Sequence, residues 1–208
     1  MQLAVPVIGI LRGIAGDFFQ ALMPEAFGAG LSALEITMNT PGAAAIISRC
    51  RPEVPPGKLL GMGTIRNVAE AEIALAAGAM FLVTPNTDPR VIELAKSREI
   101  PVIAGAFTPT EVYTAWSAGA DLVKVFPCGA VGPDYLRELR GPFDQIPLVA
   151  VGGVNLNNVR DFFAAGVVGV GVGNSLFGQA ALAEQDLNGV AANIRRFLAA
   201  LPEPRQIR

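Results

Sequence analysis

The segment SAGADLVKVF, residues 117–126, joins a glycine at the end of a helix-like stretch to an apolar run that contains one lysine. Three other segments have the same order of glycine and apolar run: GAGLSALEITM (28–38), AAGAMFLVTP (76–85) and AAGVVGVGVG (164–173). Glycine tolerates the left-handed backbone with which many helices end. The repeat therefore predicts four junctions at which a helix ends and a strand begins.

Four further apolar segments lie between these junctions: VPVIGILR (5–12), LLGMGTI (59–65), IPVIAGAF (100–107) and PLVAVGG (147–153). Helical periodicity fills the intervals between them, and TPTE (108–111) has the pattern of a capping box. Eight short strands that alternate with helices predict a parallel α/β sheet. Eight such units in 208 residues favour a closed (β/α)8 TIM barrel, with residues 1–208 as a single domain. An open doubly wound sheet is the alternative.

Composition narrows the function classes. Hydrophobic residues make up 51% of the chain and charged residues 16%, which is enough apolar material for a large core. The formal net charge is -2 and there is no basic run, so we expect neither nucleic acid nor an acidic membrane as a partner. The N-terminus lacks the pattern of a signal peptide and the chain has two cysteines, which predicts a cytoplasmic location.

The chain contains no histidine. This excludes metal sites built on histidine and nucleophiles activated by a histidine base. Acid–base chemistry, if there is any, must use Glu, Asp, Lys, Tyr or water.

Side chains on a barrel strand alternate between the lumen and the helix layer. Lys124 shares its face with Leu122 and Phe126, and we expect it to point into the lumen, because helix-facing positions are packed and apolar. By the same alternation Glu35 faces the lumen from its own strand. Arg12 and Thr64 lie at the ends of two other strands, so all four polar groups are expected at the C-terminal mouth, where TIM-barrel enzymes have their active sites.

An amine that is removed from water favours its neutral, nucleophilic form. Lys124 is therefore suited to attack a carbonyl group and form a Schiff base, and Glu35 is suited to shuttle protons beside it. The alternative interpretation is a structural Lys124–Glu35 ion pair, although buried pairs contribute little net stability compared with apolar residues.

Glycine-rich segments follow the last two predicted strands. Gly152 and Gly153 come after one strand, and Gly173, Asn174 and Ser175 come after the next. Loops at these positions of a TIM barrel commonly bind phosphate through backbone N–H groups. The alternative is that these glycines only form tight turns.

The whole set of motifs resembles the class I 2-keto-3-deoxy-6-phosphosugar-acid aldolases, known as KDPG and KDPGal aldolases. The resemblance covers nearly the whole chain and rests on ILRG from Ile10, LEIT from Leu34, GMGT from Gly61, VTPN from Val83, KVFP from Lys124, GPDYL from Gly132 and AVGGV from Ala150. It implies a TIM barrel, a homotrimer, and catalysis without a metal or cofactor.

For individual residues, the resemblance implies that Lys124 forms the Schiff base with the C2 ketone of the substrate and that Glu35 is the general acid/base. Arg12 and Thr64 would hold the substrate carboxylate. Pro85 and Phe126 match positions that shape the pocket around the pyruvate moiety.

The residue before the paired glycines bears on the substrate. Gluconate-type relatives tend to have threonine there, whereas this chain has Val151, which is similar to the galactonate-type branch. The resemblance therefore favours 2-keto-3-deoxy-6-phosphogalactonate, with the gluconate epimer as the alternative. Many relatives have serine where Asn174 stands, and Ser175 is a possible substitute as a phosphate donor.

Two interpretations from other classes remain open. A phosphate-binding barrel that acts as a sensor would need the glycines but neither Lys124 nor Glu35. An isomerase or a transferase similar to thiamin-phosphate synthase would share the barrel without an imine. Outside the candidate site, Tyr113 and Trp116 lie at helical spacing and are expected to be packing residues.

Overall fold

A computed structural model describes residues 3–203 of the chain. Eight parallel strands pair in chain order, and the last strand closes on the first. The strands are β1 (Val7–Leu11), β2 (Ala33–Thr37), β3 (Leu59–Gly63), β4 (Leu82–Val83), β5 (Val102–Ala106), β6 (Leu122–Val125), β7 (Leu148–Val151) and β8 (Gly169–Val172). The fold is a single-domain (β/α)8 TIM barrel, which confirms the expected fold class and rules out the open sheet.

Helices surround the barrel. They are α1 (Gly16–Gly28), α2 (Ala43–Cys50), α3 (Val68–Ala76), α4 (Pro89–Ser97), α5 (Pro109–Ser117), α6 (Gly132–Arg140), α7 (Val159–Ala164), α8 (Asn174–Phe177), α9 (Gln179–Ala183) and α10 (Leu187–Ala199), with 3-10 turns at Arg51–Glu53 and Cys128–Ala130. Within residues 3–203, no helix combines the length and apolarity of a membrane span.

The four repeated glycines end α1, α3, α5 and α7 as expected. Gly30, Gly78, Gly119 and Gly166 have φ values of 113°, 90°, 95° and 93°. At Gly78 the N–H donates to the Leu75 carbonyl, and the N–H of Ala79 donates to the Ala74 carbonyl, each at 3.0 Å. This pair of bonds is a Schellman motif, which satisfies the last carbonyls of the helix and turns the chain directly into the next strand.

The strands separate two apolar layers. The lumen cluster contains Ile8, Ala33, Phe81, Val83, Ile103, Leu122, Val149 and Val151, with Phe126 packed against it. Val123 and Val125 belong instead to the larger cluster between barrel and helices. Lys124 lies between these two valines on the strand and therefore faces the lumen, as expected from the alternation.

The expectation for the two aromatic residues on α5 was wrong. Tyr113 is 58% exposed and Trp116 is 38% exposed. The Tyr113 ring stacks on Phe143 with 6.1 Å between centroids, so it is a surface contact rather than a core residue. Helical spacing placed both side chains on one face but did not show which face of α5 points outward.

Two glycines at the end of α1 give a matched test of the junctions. We expect Gly30→Ala to lower the free energy of unfolding by about 1–2 kcal/mol, because an L-residue is strained in a left-handed backbone. A Cβ at Gly30 would also lie 3.0 Å from Leu198 Cδ1. Urea denaturation measures the change.

The control is Gly28→Ala, at the last residue of the same helix, where a Cβ meets nothing within 4 Å. This variant should raise the free energy of unfolding by about 0.5–1 kcal/mol, since alanine favours the helix. Equal effects from the two variants would contradict the assignment of Gly30 to a helix-ending role.

Candidate active site

The polar residues expected at the mouth come together at the C-terminal end of the barrel. Arg12 follows β1 directly, Glu35 lies in the middle of β2, Thr64 follows β3 and Lys124 lies in β6. Glu35 and Lys124 lie close enough for each charge to act on the pKa of the other, and the charge of Arg12 acts on the pKa of both. The structure therefore joins three of the residues electrostatically, and Thr64 directly follows Gly63, the β3 residue that lies against the Glu35 carboxyl group.

Glu35 is buried in the lumen, with 2% of its surface exposed. In the described part of the chain its Oε2 atom has no hydrogen-bond partner. Burial raises the pKa of Glu35 to about 7, although the charges of Lys124 and Arg12 oppose this increase. A carboxyl group with this pKa can both donate and accept a proton near neutral pH.

Lys124 is also buried, with 6% exposed. Burial lowers the pKa of its amine, the Glu35 charge raises it, and the Arg12 charge lowers it further. Its Nζ atom lies 4.8 Å from the centroid of the Phe126 ring. The net effect favours the neutral amine, which is the nucleophilic form.

The alternative of a structural ion pair can be compared with the geometry. Among residues 3–203, the salt bridges within 4.0 Å do not include Lys124 with Glu35. The unpartnered Glu35 oxygen and the displaced pKa of each group describe two side chains that are available for chemistry. A satisfied pair would instead hold both groups in their charged forms.

Gly63, the last residue of β3, makes room for Glu35. A Cβ at Gly63 would lie 2.2 Å from Glu35 Oε1 and 2.6 Å from Glu35 Cδ, both far inside contact distance. Glycine is therefore required at this lumen-facing position for the carboxyl group to stay where it is.

Thr64 has a strained backbone, with φ of 59°. A β-branched residue rarely adopts this left-handed conformation, and strain of this kind concentrates at functional sites. The strain and the position beside the Glu35 carboxyl group both support a functional reason for the threonine.

The apolar residues expected in the pocket lie around the two catalytic candidates. Phe126 and Val151 pack in the lumen cluster, and Val151 is 6% exposed. Pro85 is half-buried and follows the lumen-facing Val83 by two residues, so it lies on the mouth side of the same layer. Lys124 thus has an apolar surround, as its lowered pKa requires.

The predicted phosphate residues lie in neighbouring loops. Gly152 and Gly153 follow β7 with φ values of 90° and 74°, and Gly173, Asn174 and Ser175 follow β8. A Cβ at Gly153 would lie 2.5 Å from Gly129 Cα, so close packing of two loops is itself a reason for this glycine. The structure supports the tight-turn interpretation at Gly153.

A cavity of about 390 Å³ opens at the β8–β1 side of the mouth. Arg12 and Asn174 both line it, together with Gln179 and Gln185. Two residues that the sequence assigned to opposite ends of the substrate therefore border the same space. Neither Lys124 nor Glu35 lines this cavity, because both lie in the packed lumen.

Cys128 follows β6 but has no features of a nucleophile. Its Sγ donates a hydrogen bond to the Val125 carbonyl at 3.0 Å, and burial raises the pKa of the thiol to about 11. Within residues 3–203, no group of three or more Cys, Asp or Glu side chains forms a metal-binding cluster.

Comparison with known proteins identifies the family of the chain. The family profile described as KDPG and KHG aldolase matches residues 5–193, which is most of the chain. The chain belongs to the KDPG and KHG aldolase family. The match spans all eight strands, including the mouth residues described above.

Several relatives of this aldolase have names that state an activity. The probable 2-dehydro-3-deoxy-6-phosphogalactonate aldolase of Rhizobium meliloti (strain 1021) is 35% identical over 173 residues, which cover 83% of this chain and 82% of that protein. The 2-dehydro-3-deoxy-6-phosphogalactonate aldolase of Escherichia coli (strain K12) is 33% identical over 201 residues, with coverages of 96% and 98%. A solved "Native KDPGal structure" superposes with a TM-score of 0.89 at 32% identity and covers 96% of both chains. Phosphogluconate aldolases are also among the relatives.

The sequence alone gives no role to Gly63, or to Thr37 and Thr40, whose hydroxyl groups lie 3.1 Å apart in the structure. Gly63 was part of the quoted motif GMGT, but only Thr64 was given a role. The sequence signal for the role of Gly63 is a glycine at a lumen-facing position of β3, the strand next to that of Glu35. Gly63 pairs with Thr37, which lies two residues after Glu35 on β2. The hydroxyl pair depends on a turn geometry that the letters TMNT do not reveal.

The raised pKa of Glu35 predicts how stability changes with pH. The folded state binds the Glu35 proton more tightly than the unfolded state does. The stabilising contribution of this proton to the free energy of unfolding is therefore fully present below pH 4.5 and is lost as the pH rises toward about 7. The difference of pKa corresponds to about 3 kcal/mol. We expect Glu35→Gln to escape this loss, so its free energy of unfolding should increase relative to wild type across the window.

Urea denaturation at several pH values between 4 and 8 measures this difference. Glu93→Gln, on the exposed side of α4, is the surface control. Parallel stability curves for wild type and Glu35→Gln would contradict a raised Glu35 pKa.

Proposed function

We propose that this protein is a class I aldolase that cleaves 2-dehydro-3-deoxy-6-phosphogalactonate to pyruvate and D-glyceraldehyde 3-phosphate. The observation that carries the proposal is the buried Lys124 amine, whose pKa is lowered, in a lumen shared with a Glu35 carboxyl group of pKa about 7. The names and the fold of the relatives support the same reaction.

The first step is formation of the Schiff base. The neutral Lys124 amine attacks the C2 ketone and gives a carbinolamine, and the C2 oxygen then leaves as water to form an iminium ion. Glu35 in its protonated form can donate the proton that this departing oxygen needs, directly or through water. Phe126 lies against the amine, and its ring face suits the positive iminium nitrogen that results.

The second step breaks the bond between C3 and C4. The iminium ion accepts the electron pair of this bond while the Glu35 carboxylate takes the proton of the C4 hydroxyl group. Glyceraldehyde 3-phosphate leaves, and the remaining enamine is protonated at C3. Water then adds to the iminium ion, which releases pyruvate and the free lysine. Because the pKa of Glu35 is close to neutral, both forms that these steps need are populated.

The two ends of the substrate need different partners. We assign the carboxylate to Arg12 and to the Thr64 hydroxyl group, which lie beside Glu35 at the mouth. We assign the phosphate to Gly152, Gly153, Gly173, Asn174 and Ser175, on the loops after β7 and β8. Parallel strands β7 and β8 are neighbours, so their loops leave the barrel side by side and can act on one phosphate group.

Val151 is the last residue of β7, immediately before the paired glycines, and its side chain packs in the lumen cluster. We propose that this apolar side chain sets the preference for the galactonate configuration at C4. The gluconate epimer is the alternative substrate, and the presence of phosphogluconate aldolases among the relatives is the observation that keeps it open.

We also propose that residues 1–208 form one domain and that the enzyme is a cytoplasmic homotrimer. The resemblance to class I aldolases supports the trimer, and one similar solved structure is described as a cage designed by fusing symmetric oligomeric domains. A solution mass equal to one chain of 21.7 kDa would contradict the trimer.

Borohydride trapping tests the reaction. We expect sodium borohydride to reduce the imine between pyruvate and the protein, which inactivates the enzyme and leaves a pyruvyl adduct on Lys124 that peptide mass spectrometry locates. Lys124→Ala should form no adduct and should lose cleavage of the phosphogalactonate substrate by at least about 10³-fold, because no other amine can supply the covalent step.

The exposed Lys96→Ala is the matched control and should react like wild type. Absence of an adduct in wild type at saturating pyruvate would overturn the aldolase proposal. The remaining interpretations would then be a phosphate-binding sensor or another phosphosugar enzyme. An adduct on a different lysine would overturn the assignment of Lys124.

The ratio of kcat/KM for the two C4 epimers tests the substrate. We expect wild type to favour the galactonate epimer and Val151→Thr to shift this ratio toward the gluconate epimer by about 10-fold, the effect of one good hydrogen bond in a buried site. Val151→Ile, which stays apolar, should keep the preference. An unchanged ratio in Val151→Thr would show that Val151 does not read C4.

A further inference from the structure

Two buried hydroxyl groups, one on the last residue of β2 and one three residues later, have no role in the proposed reaction. Thr37 is 1% exposed, Thr40 is 2% exposed, and their Oγ1 atoms lie 3.1 Å apart. A tight turn brings them together, because the Thr40 N–H donates to the Thr37 carbonyl at 2.9 Å. Burial of two hydroxyl groups is costly unless they form hydrogen bonds, and these two bond to each other.

The pair reaches across to the neighbouring strand β1. The Gly13 N–H donates to Thr40 Oγ1 at 2.9 Å, a contact between residues that are 27 positions apart. Gly13 has φ of 65°, so the chain turns sharply here, directly after Arg12. This N–H belongs to the peptide group that joins Arg12 to Gly13, so the bond anchors the backbone that carries the Arg12 side chain.

The Arg12 side chain has little else to hold it. It is exposed, and in the part of the chain that the structure describes no hydrogen bond or ion pair within 4.0 Å engages its guanidinium group. An arginine side chain has many rotamers, so its backbone anchor matters for where the charge is placed. That charge acts on both Glu35 and Lys124.

We infer that Thr40, braced by Thr37, is a positioning residue that holds the Arg12 backbone so that the guanidinium group meets the substrate carboxylate. This inference rests on the proposed function, since it presumes that Arg12 binds the carboxylate. Thr40 acts only through Arg12 and touches no reacting atom. It is therefore expected to affect capture of the keto acid rather than the bond-breaking steps.

The proton count explains why a pair is used. Thr40 Oγ1 accepts from Gly13, and one hydroxyl proton of the pair is shared between the two oxygens. The Thr37 oxygen thereby fixes the rotamer of Thr40 and keeps its acceptor lone pair directed at Gly13. Loss of Thr37 should loosen the Gly13 bond, whereas loss of the Thr40 hydroxyl should abolish it.

The test measures pyruvate binding, as the concentration dependence of borohydride inactivation, together with KM and kcat for cleavage. Thr40→Val keeps the shape of the side chain and removes the acceptor. We expect it to raise the half-saturating pyruvate concentration and KM by about 5- to 10-fold, the effect of one lost hydrogen bond to a half-buried N–H, with kcat changed less than about 2-fold. Thr40→Ser restores the hydroxyl group and should recover most of the affinity.

A double-mutant cycle with Arg12→Ala decides whether Thr40 acts through Arg12. In the Arg12→Ala background, Thr40→Val should cause no further change in pyruvate affinity. Equal losses in both backgrounds, a fall in kcat alone, or failure of Thr40→Ser to recover affinity would each overturn the inference.

Thr37→Val provides a second route in case Thr40→Val does not fold. It leaves the Gly13 acceptor in place, and we expect a smaller loss of pyruvate affinity that again disappears in the Arg12→Ala background. A loss that persists in that background would overturn the inference. Failure of the proposed function itself is distinguishable, because wild type would then form no pyruvate adduct at all.

Discussion

The structure depends on the burial of one amine beside one carboxyl group inside a closed barrel. Water is excluded from Lys124 and Glu35, and this desolvation moves the pKa of the amine down and that of the carboxyl group up. Each charge partly opposes the shift of the other. The same burial thus favours the neutral form of the amine and gives a carboxyl group with a pKa of about 7, in a chain that has no histidine.

The barrel supplies the positions that this arrangement needs. Alternation along β2 and β6 directs Glu35 and Lys124 inward, while Gly63 on β3 leaves the space that the carboxyl group occupies. At the mouth of the barrel, left-handed backbone occurs at Thr64 and at Gly13, the residue that follows Arg12. In the proposed mechanism, rigid strands hold the reacting groups and loops hold the groups that select the substrate, which is a common division in this fold.

Sequence periodicity was sufficient for the fold. The helix-ending glycines, the capping box at Thr108 and Glu111, and the lumen direction of Lys124 are all local signals, and the structure confirms them. The clearance at Gly63 and the bond from Gly13 to Thr40 join residues on different strands, so local patterns could not reveal them. The exposure of Tyr113 was missed for a related reason, because the outward face of α5 depends on what packs beneath it.

The pKa of the Lys124 amine is the measurement that decides whether burial favours the neutral form of this lysine. NMR titration of protein labelled with 13C at the lysine Cε atoms, with Lys124→Arg used for assignment, would measure it. We expect a Lys124 pKa below the ordinary lysine value and a still lower one in Glu35→Gln, since the Glu35 charge raises it. A pKa at or above the ordinary value would contradict the effect of burial on Lys124, and a pKa that Glu35→Gln leaves unchanged would contradict its coupling to Glu35.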